Sequence, residues 1–211
     1  MISPAGTALD AEGPCEVLVL GIGNLLWADE GFGVRCVERL ACLYEMAPGV
    51  RLMDGGTQGL YLVQYVTTAR RLIVFDAIDY DQPPGTLRVV HGDAVPRFMG
   101  CRKMSLHQTG FQDVLAAADL LGSVPEAMAL IGVQAEHLDD WGGPLRPSVA
   151  ACLEPALDEA VALLAAWGFP CRRRAQPLPH SALLDPSLER TPFERAPLGG
   201  GSGAWGNGEG L

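Results

Sequence analysis

The chain has 211 residues, 48% of them hydrophobic and 19% charged, which suits one globular domain that buries roughly 70% of the surface its unfolded chain would expose. A formal net charge of −10 and a pI near 4.7 argue against nucleic acid and anionic lipid as partners, since both draw on clustered Lys and Arg; a cation or a basic partner surface fits better. No apolar run approaches the roughly 20 residues of a membrane span, and the N-terminus lacks the basic flank and apolar core of a signal peptide, so the expectation is a cytoplasmic protein, monomeric by default.

Residues 1–14 read as a flexible lead-in. "EVLVLGIG" (16–23) is a short continuous apolar run ending in glycines, as expected of a buried parallel strand. After an acidic loop, "GFGVRCVERLACLYEM" (31–46) has apolar residues at Val34, Val37, Leu40 and Leu43, a helical spacing with Arg and Glu on the other face. "GVRLMDGG" (49–56) predicts a second strand, "QGLYLVQYVTTA" (58–69) a helix and "RRLIVFDAID" (70–79) a third buried strand. "DQPPGTLRVVHGD" (81–93) carries a proline turn and a shorter strand, expected antiparallel at an edge. "SLHQTGFQDVLAAADLLG" (105–122) predicts a helix opened by a capping box of Ser105 and Gln108, with His107 in its first turn.

"AMALIGVQAE" (127–136) predicts the last strand, and "SVAACLEPALDEAVALLAAWG" (148–168) the last helix, where Pro155 marks a kink or a misplaced boundary. Beyond Cys171 the chain turns Pro-, Gly- and Ser-rich, so residues 172–211 read as a mostly disordered tail; the Arg172–Arg174 run reads as solvated charge. The fold class is therefore α/β: one domain over 15–171, with a mainly parallel twisted sheet of about five strands and helices on both faces. Six cysteines, Cys15, Cys36, Cys42, Cys101, Cys152 and Cys171, form no CxxC pair, and a domain of this size needs no disulfides.

Gly21-x-Gly23 after a strand, with Asp54 ending the next, suggests a dinucleotide site. Leu26 stands where the third glycine belongs, however, and Asp29 and Glu30 would repel a pyrophosphate. No nucleotide cofactor is expected. Acids instead collect where an open parallel sheet binds ligands, beyond the carboxyl ends of the strands: Asp29 and Glu30 after the first, Asp54 and Asp76 at the ends of the second and third. Buried carboxylates there call for a balancing cation. His107 near a positive helix end is held neutral and able to donate a lone pair. Two carboxylates and an imidazole suit nickel or zinc better than calcium.

Each of these residues also has a structural use. Glu30 can favour a helix dipole, Asp76 and Asp54 can form turns, and His107 can sit on a solvated surface. His137 follows a strand and reads as a loop residue. No G-x-S-x-G elbow or H-E-x-x-H helix is present, and no Cys has a neighbouring His to mark an activated thiolate. Residue chemistry alone leads to an α/β protein with a candidate divalent metal site.

The stretches "VLVLGIGNLLWADEGFGVRCVERL", "DGGTQGL", "LIVFDAID", "PGTLRV" and "SLHQTGFQDVLA", in this order, resemble the hydrogenase maturation endopeptidase family, and within it most of all the uptake-hydrogenase subgroup. The resemblance implies a nickel-dependent hydrolase that removes a C-terminal extension from the large-subunit precursor of a [NiFe]-hydrogenase, the nickel being supplied by the precursor. It implies that Glu30, Asp76 and His107 form both the metal-binding and the catalytic set. Asp54 is a further family position of unassigned role, and Asp29 lies outside the metal shell. It leaves open whether the mechanism is aspartic-type or metal-assisted. A reading from another class is a non-catalytic nickel-binding chaperone of the same precursor.

Overall fold

The computed structural model describes residues 13–99, 106–138 and 140–183, and the side chains of all these except 97–99 and 106–109. The expected lead-in at 1–12 and the tail at 184–211 lie outside the described residues. The sheet holds five strands: β1 (Cys15–Ile22), β3 (Val50–Gly56), β4 (Ala69–Ile78), β5 (Leu87–His91) and β6 (Ala127–Gln134). Their order is β3-β1-β4-β6-β5. All neighbours are parallel except β5, which runs antiparallel to β6 at the edge. The expected architecture and the antiparallel edge strand are both present.

Alternating residues of the central strands feed two cores, which is why these strands read as unbroken apolar runs. On one face Val17, Val19, Ile73, Phe75, Ile131 and Val133 pack with α1 (Phe32–Leu43) and α6 (Leu153–Ala166). On the other, Leu18, Leu20, Leu72, Val74, Met128 and Leu130 pack with α4 (Leu106–Leu120). Helix α1 lies unusually close to the sheet, because a Cβ on Gly33 would stand 2.3 Å from the carbonyl oxygens of both Ile22 and Phe75. That approach brings the start of α1 down onto the ends of β1 and β4.

Several boundaries differ from the sequence reading. The segment expected as one helix over 58–69 is a 3₁₀ turn (Gly59–Leu62) and a single helical turn α2 (Val63–Val66), and Ala69 already opens β4. Thr67 and Thr68 turn their hydroxyls back onto the Val63 and Gln64 carbonyls, which ends the helix. A short helix α3 (Ala94–Met99) follows β5. Pro155 marks a boundary and no kink: α5 (Pro147–Ala150) stops, α6 begins at Leu153, and Pro155 sits in its first turn, where a missing N–H costs nothing.

The domain also runs past the expected limit at 171. Arg172–Arg173 form a strand, β7, antiparallel to β2 (Tyr44–Glu45). Arg172 donates to Glu45, Arg174 lies 3.9 Å from it, and Arg173 stands over the Tyr44 ring. This arginine run is tied to its own chain. Cys15, Cys36, Cys42, Cys152 and Cys171 are free thiols, and among the described residues no helix is long and apolar enough to cross a membrane.

Candidate functional site

The strand order reverses between β1 and β4, since β3 lies on one side of β1 and β4 on the other. In open α/β sheets the crevice at such a switch point, beyond the carboxyl ends, is where ligands bind. Glu30 occupies a 3₁₀ turn (Ala28–Gly31) that follows β1 and packs against β4. Asp76 sits near the end of β4, immediately after Phe75. Both are buried, Asp76 completely and Glu30 to 6% residual exposure. The two acids read from sequence as site residues therefore come to the same switch point.

The loop that delivers Glu30 is built residue by residue. Gly23 leaves the strand at φ +135°, and a Cβ there would stand 1.8 Å from the Glu30 carbonyl oxygen. The Asn24 side chain accepts the Leu26 N–H at 3.0 Å. Trp27 donates its N–H to the Asn24 carbonyl, and Glu30 donates its own to the Trp27 carbonyl at 2.8 Å. Ala28 is held at φ +25°, a strained value for a residue with a side chain. The glycine that resembles a phosphate-loop glycine makes room for the backbone of Glu30.

Asp29 has a different task. Its Oδ1 accepts the Arg146 N–H at 2.8 Å, and its Oδ2 accepts those of Glu136 and His137 at 3.0 and 3.4 Å. Hydrogen bonds to an ionised group stabilise by about 1.5–3 kcal/mol each, so this one carboxylate clamps the loop after β1 to the loop after β6. His137 is exposed and contributes only its backbone, as a loop residue would.

Around Asp76 lie groups the sequence did not single out. Asp76 and Arg88 both pair with Gly132, from opposite sides of β6. The Tyr80 hydroxyl lies over Gly132, where a Cβ would meet it at 1.7 Å. Burial, and after it the nearby Asp76 carboxylate, raise the Tyr80 phenol well above its ordinary value, with Arg88 opposing. Tyr80 thus stays protonated and able to donate. Gln134 fixes this corner: its Oε1 accepts the N–H groups of Tyr80 and Gln82, and its Nε2 donates to Asp79.

Asp54 forms the turn expected of it, its Oδ1 accepting the Gly56 N–H at 2.8 Å. One feature of α1 departs from expectation. Arg35 and Glu38, assigned by periodicity to the face opposite the apolar stripe, are buried and paired at 2.8 Å. Their charges act on Asp54. Burial raises the Asp54 carboxyl above its ordinary value, against the pull of the Gly56 N–H and Arg35, with Glu38 adding to the rise. An acid whose pKa is higher folded than unfolded loses stability on ionising. That cost is absent below the unfolded pKa and complete above the folded one. Asp54→Asn, which keeps an oxygen for Gly56, is expected to raise the melting temperature at pH 7, with the gain fading towards pH 4, near the ordinary aspartate value of about 3.9. A gain independent of pH, or none, in parallel calorimetric scans would contradict this.

His107 lies in the first turn of α4; its side chain, and the Ser105–Gln108 capping box, lie outside the described residues. Among the described residues, no group of three His, Cys, Asp or Glu side chains gathers as a metal site. The two buried carboxylates supply oxygen donors of the kind a divalent cation takes.

The family model of hydrogenase maturation proteases matches residues 34–163. The chain is 55% identical over 183 residues to the hydrogenase expression/formation protein HupD of Bradyrhizobium diazoefficiens, covering 86% of this chain and 95% of that protein. It is 38% identical over 171 residues to the hydrogenase 2 maturation protease of Escherichia coli, covering 81% and 99% respectively. The solved structure of the hydrogenase maturating endopeptidase HybD from E. coli superposes with a TM-score of 0.71 at 38% identity, over 76% of this chain and 98% of that one.

Proposed function

Because the chain belongs to the hydrogenase maturation protease family, we propose that it is the endopeptidase that removes the C-terminal extension of a [NiFe]-hydrogenase large-subunit precursor once nickel has been inserted. The HupD names among its relatives favour an uptake-type hydrogenase as the source of that precursor. The observation that carries the reading is the placing of Glu30 and Asp76, both buried, at the β1/β4 switch point of a protease-family sheet.

In this reading nickel arrives as part of the substrate. Glu30, Asp76 and His107 would hold it, the carboxylates supplying charge and the imidazole a neutral lone pair. A divalent ion there polarises a carbonyl or lowers the pKa of water. The chain's own residues prepare the site. Gly23 and Asp29 set the Glu30 turn, Gln134 holds the corner after β4, and protonated Tyr80 presents a donor beside Asp76. Cytoplasmic action on a folded precursor is part of the proposal.

Mass spectrometry of purified precursor after incubation with the protein tests it. The nickel-loaded form is expected to lose a C-terminal peptide and the nickel-free form to stay intact. Equal cleavage of both removes nickel sensing. A stable complex without cleavage assigns the protein to the chaperone class.

A further inference from the structure

The end of the sheet that carries Glu30 also carries exposed aromatic surface. Trp27, in the loop after β1, and Trp141, in the loop after β6, meet edge to face with ring centroids 5.5 Å apart. Trp141 is 70% exposed and Leu26 42%. These side chains stand on braced backbone. Gly142 donates its N–H to the Leu26 carbonyl at 2.7 Å, and Asp29 joins the same two loops by three hydrogen bonds. Arg146 pairs with both Asp140 and Glu136. Apolar surface held out to water on a braced loop gains the fold little, and rigid tryptophans are the side chains that most often carry binding energy.

The geometry points to Leu26, Trp27 and Trp141 as the seat for an apolar side chain of an extended polypeptide, the segment of the precursor that runs into the site; this rests on the endopeptidase reading above. A polypeptide is the occupant because the patch stands at the same end of the sheet as the site, on the loops that follow the parallel strands β1 and β6. The Trp27 carbonyl accepts the Glu30 N–H, so Trp27 and Glu30 belong to one turn. Trp141 follows β6, the parallel neighbour of β4, and meets Trp27 of the loop after β1, so the paired rings offer an apolar surface to a chain that approaches this end of the sheet. A scissile segment must be extended to present its bond, and its side chains then need lodging along the approach. An apolar seat gives affinity without adding charge near two buried carboxylates.

Steady-state cleavage of nickel-loaded precursor provides the test. Trp141→Ser is expected to raise KM about 10-fold with kcat changed less than twofold, and Trp141→Phe to restore most of the loss. Leu120→Ser, which removes a still more exposed apolar side chain at the opposite end of the sheet, is expected to leave both constants unchanged. Melting temperatures of all three should match the parent. If the parent cleaves and Trp141→Ser keeps the parental KM, the seat is wrong while the endopeptidase reading stands. If instead Trp141→Ser changes the sedimentation of the protein alone and leaves KM unchanged, the patch joins two copies of this chain and the proposal is overturned. A parent that cleaves nothing overturns both.

Discussion

Glu30→Gln and Asp76→Asn are each expected to slow cleavage of a nickel-loaded precursor by about 1,000-fold while leaving the melting temperature near that of the parent. Both substitutions keep the shape of a buried side chain and replace its carboxylate with an amide, a poorer metal donor. Loss of a carboxylate from a metal set removes several kcal/mol of transition-state stabilisation, and about 4 kcal/mol corresponds to three decades of rate. The isosteric amide keeps the packing of the buried side chain, so the fold is expected to tolerate the change. His107→Ala should lose activity in the same way. Rate assays paired with thermal melts separate the alternatives. Activity falling with stability intact supports roles in the reaction, whereas parallel loss of both marks structural acids. Parental rates in all three variants would discard the set.

Gly23→Ala is expected to destabilise the protein by about 3 kcal/mol or more, and to lower activity beyond what unfolding explains. Two terms add. At φ +135° a residue with a Cβ is strained by roughly 1–3 kcal/mol. The new atom would also stand 1.8 Å from the Glu30 carbonyl oxygen, a backbone atom that moves only with its turn, and such overpacking costs a further 1–3 kcal/mol or so. Gly122→Ala separates the terms, since Gly122 has φ +64° and a Cβ added there would meet nothing within 4 Å; it should cost only about 1 kcal/mol in urea titrations. If the two variants prove equally mild, the contact with Glu30 is not what holds Gly23 in place.

This contact also explains why the loop mimics a nucleotide site. A dinucleotide fold uses its second glycine to admit a pyrophosphate to the backbone. Here the space beside Gly23 is filled by the protein's own carbonyl at Glu30. The glycine pattern reports a close approach and is silent on what approaches. The acids next to it carry the distinguishing information, because carboxylates repel a phosphate unless a cation lies between them.

Legibility followed the same division. The buried strands announced themselves, since Val17–Leu20, Leu72–Phe75 and Ala129–Ile131 are apolar on both faces and only a covered sheet accommodates that. The segment over 58–69 was harder, because apolar spacing alone does not separate one helix from a 3₁₀ turn and a helical turn closed by threonine hydroxyls. Arg35 and Glu38 were misplaced because helical periodicity sorts residues by polarity, whereas an ion pair at 2.8 Å lets charge enter the interior. Arg172 and Arg173 are exposed, as solvated charge would be, but their pairing with Tyr44 and Glu45 was not legible, because that partner strand lies more than a hundred residues away in the chain.

Local pattern in the chain was enough for the α/β class, the strands that make the sheet and the positions of Glu30, Asp76 and His107 at element ends, because periodicity and punctuation are properties of neighbouring residues. It took the folded arrangement to assign Asp29 as a clamp and to bring Glu30, its neighbour, to the switch point. Adjacent residues of a tight turn project in different directions, and what each meets is supplied by segments far away in sequence: Glu136, His137 and Arg146 for Asp29, and β4 for the turn of Glu30. The same holds for Trp27 and Trp141, two ordinary loop residues until the hydrogen bonds between their loops set one ring against the other.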